Sequence, residues 1–323
     1  MMSVDTFEKK QTIFVFTRDG DKISFSNDNL VVKNGDEVRL QSTCYRIFAL
    51  FIVGDVTITS GLIQRSRKFG FPIILMTTSL RVYDVIGHRT EGNFTLRKIQ
   101  YDYNGLDIAK HIVENKIRNQ IDTLDLQRWK DNGMRADISS LERYAESAKA
   151  FEGDLRELMG IEGAASRVYF RSNFNIEGWS GRRPKIKSDF INSTLDIGYT
   201  VLFNLTDAML GLYGFDVYKG VYHREFYMRK SLVCDLMEPF RPLIDWQVRK
   251  AVNLRQCKPE DFNVSDGRFL LNITKNKDYI EFLLKPLLAS KEQMFLYHQS
   301  YYRAIMKHKP ISGFPSFKIA EEE

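Results

Sequence analysis

Apolar residues in the first ninety positions occur in short runs that are separated by polar turns. The run TIFVFT (residues 12–17) is followed by Asp-Gly (residues 19–20), and the run NLVVK (residues 29–33) is followed by Asn-Gly (residues 34–35). Both dipeptides accept the positive φ angles of tight hairpins at little cost. The pattern therefore predicts a β-rich unit with one helix, arranged as a small sandwich.

The pattern changes near residue 93, after which apolar residues recur with a helical period. In residues 106–124, four isoleucines lie near one helix face: Ile108, Ile112, Ile117 and Ile121. Further helical stretches follow, and a length of 323 residues suits two domains. We therefore expect an α+β fold, with a β-rich N-terminal domain over residues 1–92 and a larger all-α C-terminal domain over residues 93–323.

Charge and cysteine content limit the kinds of protein that this chain could be. The chain carries 47 Lys and Arg against 41 Asp and Glu, and its net charge of +6 permits nucleic-acid binding without establishing it. Cys44, Cys234 and Cys257 form no CxxC pair, which argues against a zinc ribbon or a disulfide framework and suits a reducing cytosol. The N-terminus shows no signal region, and the longest apolar run (residues 47–54) is too short to span a bilayer. We expect a cytoplasmic protein with no membrane partner.

The segment SLVCDLMEPFRPLIDW (residues 231–246) has the apolar pattern of a helix that packs on one face. At 100° per residue, three acids fall within about 40° of one line: Asp235, Glu238 and Asp245. Such a stripe usually faces water, which is one interpretation. The other is a missing cation, because Pro239 and Pro242 occupy the positions four residues after the first two acids, and only Arg241, three residues after Glu238, could neutralise one of them. Pro239 should also kink the helix, since it removes a backbone donor.

Two further side chains are candidates for chemistry. Glu162 lies in MGIEGAASRVYF among small residues, where a carboxylate is either a partnered core acid or a ligand. His223 lies in KGVYHREFYMRKSL, where apolar and aromatic residues precede the histidine and several basic residues follow it. A single histidine is more often structural than functional. The spacing alone does not bring Glu162, His223 and Glu238 together.

Three ordered motifs carry a resemblance to a known family. They are EGAA (residues 162–165) with YF (residues 169–170), the helix from Asn to Gly-Tyr (residues 192–199), and His223 a dozen residues before DLMEPFRP (residues 235–242). This set resembles the CRISPR-associated adaptation integrases, the metal-dependent endonucleases that insert new spacers into CRISPR arrays. The resemblance covers nearly the whole chain, although REFYMRK stands where the family has a glycine-rich loop. It implies an N-terminal β-sandwich followed by an all-helical catalytic domain.

The resemblance also implies a set of catalytic residues and a cofactor. Glu162, His223 and Glu238 would be the ligands of Mg²⁺ or Mn²⁺, and Asp235 would support them as a fourth catalytic residue. Carboxylates suit Mg²⁺, and an added imidazole makes Mn²⁺ an acceptable substitute. The nucleophile would be the 3′-OH of the spacer DNA, so the protein needs no nucleophilic serine or cysteine.

Partners follow from the same resemblance. The N-terminal domain would form a homodimer, a small companion adaptation protein would bridge two dimers, and both spacer precursor and CRISPR repeat DNA would bind. Eight cations are candidates for contacts with DNA phosphates: Arg171, Arg182, Arg183, Lys185, Lys187, Arg224, Arg229 and Lys230. Two alternatives stay open, a stand-alone structure-specific nuclease for branched DNA and a DNA-binding scaffold with a degenerate site.

Overall fold

The computed structural model of the chain describes residues 2–87, 90–176, 179–223 and 227–319. Its N-terminal part is rich in strands, as predicted. The elements in order are α1 (Val4–Glu8), β1 (Gln11–Phe16), β2 (Asp21–Ser26), β3 (Asn29–Asn34), β4 (Glu37–Thr43), β5 (Ile47–Val53), α2 (Ser60–Phe69), β6 (Ile73–Met76) and β7 (Val82–Ile86).

These strands form two sheets rather than a chain of hairpins. One sheet has the order β1-β5-β6-β7, in which β1, β5 and β6 are parallel and β7 is antiparallel, and the other is the antiparallel meander β2-β3-β4. The predicted hairpin at residues 34–35 joins β3 to β4 and is confirmed. The hairpin expected at residues 19–20 is wrong, because the chain turns there but β1 and β2 enter different sheets.

The mixed sheet is covered on both faces, which explains why every residue of β5 is buried. On one face, Ile52 of β5 shares a buried apolar cluster with Leu30 and Val32 of the meander. On the other face, Phe48 and Phe51 belong to the large cluster that includes the C-terminal helices. The large cluster therefore contains residues of both the mixed sheet and the helices, while the cluster under the meander is separate from it.

The C-terminal part is helical, as predicted, with one exception. It contains α3 (Phe94–Asp102), α4 (Asp107–Asp125), α5 (Asn132–Lys149), α6 (Leu155–Asn173), α7 (Phe190–Gly211), α8 (Ser231–Met237), α9 (Arg241–Asn253), β8 (Phe262–Ser265), β9 (Arg268–Leu271), α10 (Asn276–Ala289) and α11 (Lys291–Met306). The hairpin β8–β9 corrects the expectation of an all-α domain. It turns at Asp266 and Gly267, whose φ angles are 50° and 70°, so it carries the same Asp-Gly signal as the N-terminal part.

Helix α7 is the centre of the helical part, and most of its residues are buried. Gly198 lies at its contact with α9 and α10, where a Cβ atom would come within 2.5 Å of Ile244 and 3.1 Å of Leu283. The helices therefore approach one another more closely than any larger residue at this position would allow. Among the described helices, none combines the length and the hydropathy of a membrane-spanning segment.

This contact predicts a large loss of stability for Gly198→Val. The added side chain would overlap Ile244, and overpacking of this kind costs about 2–3 kcal/mol of the free energy of unfolding. The matched control is Gly160→Val in α6, where nothing lies within 4 Å of the added Cβ atom. The control should change the free energy by about 0.5 kcal/mol or less. Urea unfolding measures both, and equal losses in the two variants would contradict this view of the α7 contact.

Candidate metal centre

The acidic stripe lies where the helix pattern breaks. Helix α8 ends at Met237, a 3₁₀ turn spans residues 238–240, and α9 begins at Arg241, so the kink expected at Pro239 is confirmed. The side-chain amide of Asn119 donates to the Pro239 carbonyl at 3.0 Å. The three acids of the stripe have exposed fractions of 0%, 3% and 1%: Asp235, Glu238 and Asp245. The interpretation that this stripe faces water is therefore wrong.

Asp235 fixes the segment that carries His223. Its Oδ2 accepts the backbone N–H groups of Val221 at 2.6 Å and Tyr222 at 3.0 Å. Its Oδ1 accepts the backbone N–H of His223 at 2.8 Å and lies 2.7 Å from the imidazole Nδ1. Because a carboxylate only accepts, Nδ1 carries a proton, so Nε2 is the ring nitrogen that the neutral tautomer would offer to a metal. A side chain at Gly220 would come within 2.9 Å of Asp235 Oδ2, so this approach requires glycine.

Two predicted ligands, Glu162 and Glu238, meet at the buried ammonium group of Lys116 on α4, and the third, His223, lies beside Glu238. Lys116 Nζ lies 2.5 Å from Glu162 Oε1 and 2.7 Å from Glu238 Oε2. Glu162 also accepts a hydrogen bond from Ser166 Oγ at 2.7 Å. The contact with Glu238 Oε2 is a buried ion pair. His223 Nε2 lies 4.0 Å from Glu238 Oε1.

Sequence reasoning did not find Lys116, although a signal exists. The residues Ile108, Ile112, Lys116 and Gln120 follow one another at intervals of four on α4. This row faces the protein interior, since Ile108, Ile112 and Gln120 are buried. A lysine within such a row needs a buried anionic partner.

Burial and neighbouring charges shift the pKa values of Lys116, Glu162 and Glu238 in opposite directions. Burial alone would lower the pKa of Lys116, but Glu162 and Glu238 outweigh it and raise this pKa above its ordinary value. Burial would raise the pKa of Glu238, whereas Arg241 and Lys116 hold it at about 2. Lys116 also lowers the pKa of Glu162 against the effect of burial. At neutral pH both glutamates are therefore carboxylates, and Lys116 is an ammonium ion.

A second layer of contacts surrounds Tyr199. The Arg241 guanidinium lies 4.8 Å from the centre of the Tyr199 ring, and its Nε lies 3.1 Å from Glu238 Oε1. The Arg182 guanidinium lies 5.2 Å from the same ring. The Tyr199 hydroxyl donates to Asp245, and burial raises the pKa of that carboxyl to about 6. Arg241 is thus held from two sides and keeps one positive charge beside Glu238.

Comparison with known proteins identifies the family. A family model described as CRISPR associated protein Cas1 matches residues 14–284. The chain belongs to the Cas1 family. The CRISPR-associated endonuclease Cas1 1 of Thermodesulfovibrio yellowstonii is 30% identical over 243 residues, which cover 71% of this chain and 76% of that protein. The predicted family and the prediction of a CRISPR-associated endonuclease are confirmed.

Two solved structures share the Cas1 fold with this chain. A chain of a Cas6-RT-Cas1–Cas2 complex matches with a TM-score of 0.80 at 24% identity, over 96% of this chain and 36% of that longer chain. A casposase bound to integration product matches with a TM-score of 0.76 at 16% identity, over 97% of this chain and 96% of that chain. At these identities the likeness concerns the fold, a β-rich N-terminal region followed by a helical part.

The donor set of this Cas1-family site fits a hard divalent cation. The Glu238 side chain is buried, its Oε2 lies 2.7 Å from Lys116 Nζ, and His223 Nε2 lies 4.0 Å from its Oε1. Two carboxylates and one neutral imidazole suit Mg²⁺ or Mn²⁺. As they stand, however, no three His, Cys, Asp or Glu side chains of the described residues are grouped closely enough to hold a metal ion. Lys116 is the side chain that lies between the two glutamates.

The site forms part of a cleft of about 810 Å³, which Arg167, Arg171, Arg182 and Arg183 also line. Several predicted DNA contacts already have carboxylate partners, namely Arg171 with Asp137 at 2.6 Å, Arg182 with Asp196 at 2.5 Å and Lys230 with Asp207 at 2.7 Å. Arg229 donates to Ser231 at 3.3 Å. Ion pairs to Arg183, Lys185 and Lys187 are absent among the described residues, and Arg224 lies outside them.

Proposed function

We propose that this chain is a metal-dependent DNA endonuclease and integrase that joins the 3′-OH of spacer DNA to a CRISPR repeat by transesterification. The observation that carries the proposal is the meeting of Glu162, His223 and Glu238 on the wall of a cleft that also contains arginines. Membership of the Cas1 family supports it, as does the fold shared with a casposase bound to integration product.

Each residue of the site has a role in this reaction. Glu162, Glu238 and His223 Nε2 would hold Mg²⁺ or Mn²⁺, and Asp235 keeps the imidazole in the tautomer that can bind it. The cation, when bound, polarises the scissile phosphate and stabilises the leaving 3′ oxygen. The DNA supplies the nucleophile. Cys234, next to Asp235, is a poor nucleophile because burial raises the pKa of its thiol.

Two other functions use some of the same features. A stand-alone nuclease for branched DNA would need the same ligands and cleft, but it would hydrolyse junctions without joining ends. A DNA-binding scaffold would need the basic residues without the ligands, and the intact acid–histidine–acid set argues against it. A strand-transfer assay with a 3′-OH donor and a repeat target separates the three, because only the integrase gives joined product.

Removing any one ligand should abolish strand transfer. Glu162→Gln, His223→Ala and Glu238→Gln should each reduce Mg²⁺-dependent joining by at least about 100-fold, because each removes a group that holds the cation in the transition state. The control is Glu146→Gln, since Glu146 forms an exposed ion pair with Arg118 at 2.6 Å. Such pairs contribute little, and the control should retain activity. Wild-type joining by His223→Ala would contradict the assignment.

DNA would be held by the loop between α6 and α7. Backbone N–H of Phe269 in β9 donates to the Lys187 carbonyl at 2.9 Å, so the hairpin anchors this loop. Arg182 points inward, where Asp196 and Tyr199 hold it. Arg183, Lys185 and Lys187 are therefore better placed to meet phosphates. An integrase must accept any spacer sequence, so these contacts would be to the DNA backbone rather than to bases.

Replacing Arg183, Lys185 and Lys187 together with Ala should weaken binding equally for unrelated DNA sequences. The slope of log K against log salt should become less steep by roughly 0.9 for each duplex phosphate that the variant no longer binds. The single variant Arg182→Ala should instead lower the free energy of unfolding by about 2 kcal/mol, since it breaks a charged hydrogen bond to Asp196. An unchanged salt slope in the triple variant would show that the loop is only a connector.

Assembly would involve the N-terminal domain, which we place at residues 1–92, arranged as a sandwich ahead of the catalytic domain at residues 93–323. We propose that it forms a homodimer and that a small companion adaptation protein bridges two dimers. The fold shared with a chain of a Cas6-RT-Cas1–Cas2 complex supports a companion of this kind. Strand β7 lies at a sheet edge, and Tyr83 on it is exposed. An open edge with exposed apolar side chains is a surface that proteins usually cover.

The dimer proposal predicts a molecular mass in solution of twice the chain mass of 37.7 kDa. Light scattering at micromolar concentration measures this mass directly. Tyr83→Lys should shift the population toward the monomer, because it places a charge on the proposed interface. A monomer that retains strand transfer would contradict the proposal.

A further inference from the structure

We infer that Lys116 is an internal cation that competes with the divalent metal for Glu162 and Glu238, and that metal binding displaces its ammonium group. The inference rests on the proposed metal centre and assigns a positioning role to a residue outside the ligand set. Its basis is the place that Nζ occupies, 2.5 Å from Glu162 Oε1 and 2.7 Å from Glu238 Oε2.

The Lys116 ammonium group and a metal ion cannot both lie between the two glutamates, because there is room for only one of them. A metal ion of this kind lies about 2.1 Å from carboxylate oxygens. A metal ion that bridged Glu162 and Glu238 would occupy nearly the position where the lysine nitrogen now lies between the same two oxygens. Nζ must therefore leave at least one carboxylate before the metal can bind to both.

Charge leads to the same conclusion. Glu162 and Glu238 carry two negative charges, and Lys116 and Arg241 already supply two positive charges beside them. A divalent ion that entered while both cations stayed in place would meet a neutral ligand set and strong repulsion in a buried site. One of the two basic residues must withdraw its charge from the carboxylates.

Lys116 is the residue better able to withdraw. Arg241 is held by stacking on Tyr199, whose ring centre lies 4.8 Å away. Among the described residues, the ion-pair and hydrogen-bond partners of Lys116 Nζ are the two glutamates alone. Its side chain is a flexible chain of four carbons that lines the cleft, so Nζ can turn toward the space where DNA would lie.

The test is the affinity of the full chain for Mn²⁺ without DNA, followed by the EPR signal of the free ion. Lys116→Met removes the competing charge, and the dissociation constant should fall by about tenfold or more, which corresponds to 1.4 kcal/mol. Lys116→Gln should also lower the dissociation constant. It serves as the test if the Met variant does not fold, because its amide can still donate to a carboxylate. Lys110→Met, on the same helix beside the exposed Asp107, is the control and should leave the affinity unchanged.

A second readout is thermal stability. Without metal, both Lys116 variants should melt below the wild type, because the buried Glu238 and the half-buried Glu162 lose a partner. Mn²⁺ should then raise their melting temperatures by more than it raises that of the wild type. Tighter Mn²⁺ binding by the Lys116 variants together with this larger rise would support the inference.

Two outcomes would overturn it, and they are distinguishable. If Mn²⁺ binds the wild type and Glu238→Gln abolishes binding, while both Lys116 variants bind no more tightly than the wild type, the lysine does not compete and the metal centre stands. If neither the wild type nor any Lys116 variant binds Mn²⁺, the proposed metal centre itself is wrong.

Discussion

Two carboxylates that lie beside one another, one buried and one half-buried, need compensating positive charge, and this constraint organises the helical part of the chain. Glu162 comes from α6, Glu238 from the turn between α8 and α9, and Lys116 from α4, so a single ammonium group joins three segments that are distant in sequence. A buried charge without such a partner would be strongly destabilising. The ion pairs of Lys116 therefore help to fix how these three segments pack against one another.

Hydrogen bonds around the site hold the segments that carry its side chains. Asp235 holds the backbone that carries His223, and Asn119 of α4 holds the carbonyl of Pro239 at the helix break. The side-chain amide of Asn115, also on α4, donates to the Phe317 carbonyl at 2.6 Å and accepts the Phe317 backbone N–H at 2.8 Å. The polar face of α4 is buried because each of these groups has a partner. These contacts hold the backbone segments that carry the side chains of the site.

Much of this could be predicted from the sequence, and the failures have physical causes. Runs of apolar residues indicated the strands, and Pro239 indicated the helix break, because these signals are local. The pairing of β1 with β5 could not be predicted, since parallel strands need a crossover whose partner no local pattern specifies. The proposed ligands could be assigned as a set only through the family motifs. Lys116 was missed because its partners lie on other helices, and only the fold brings them together.

In this Cas1-family site a protein cation, Lys116, stands between the two carboxylates that we propose as metal ligands. Anomalous diffraction from crystals grown with Mn²⁺ tests this most directly. A peak about 2.1 Å from carboxylate oxygens of Glu162 and Glu238 and near His223 Nε2, with Lys116 Nζ withdrawn from at least one glutamate, is the predicted result. The absence of a peak there, or a peak with Lys116 still bridging both glutamates, would contradict it.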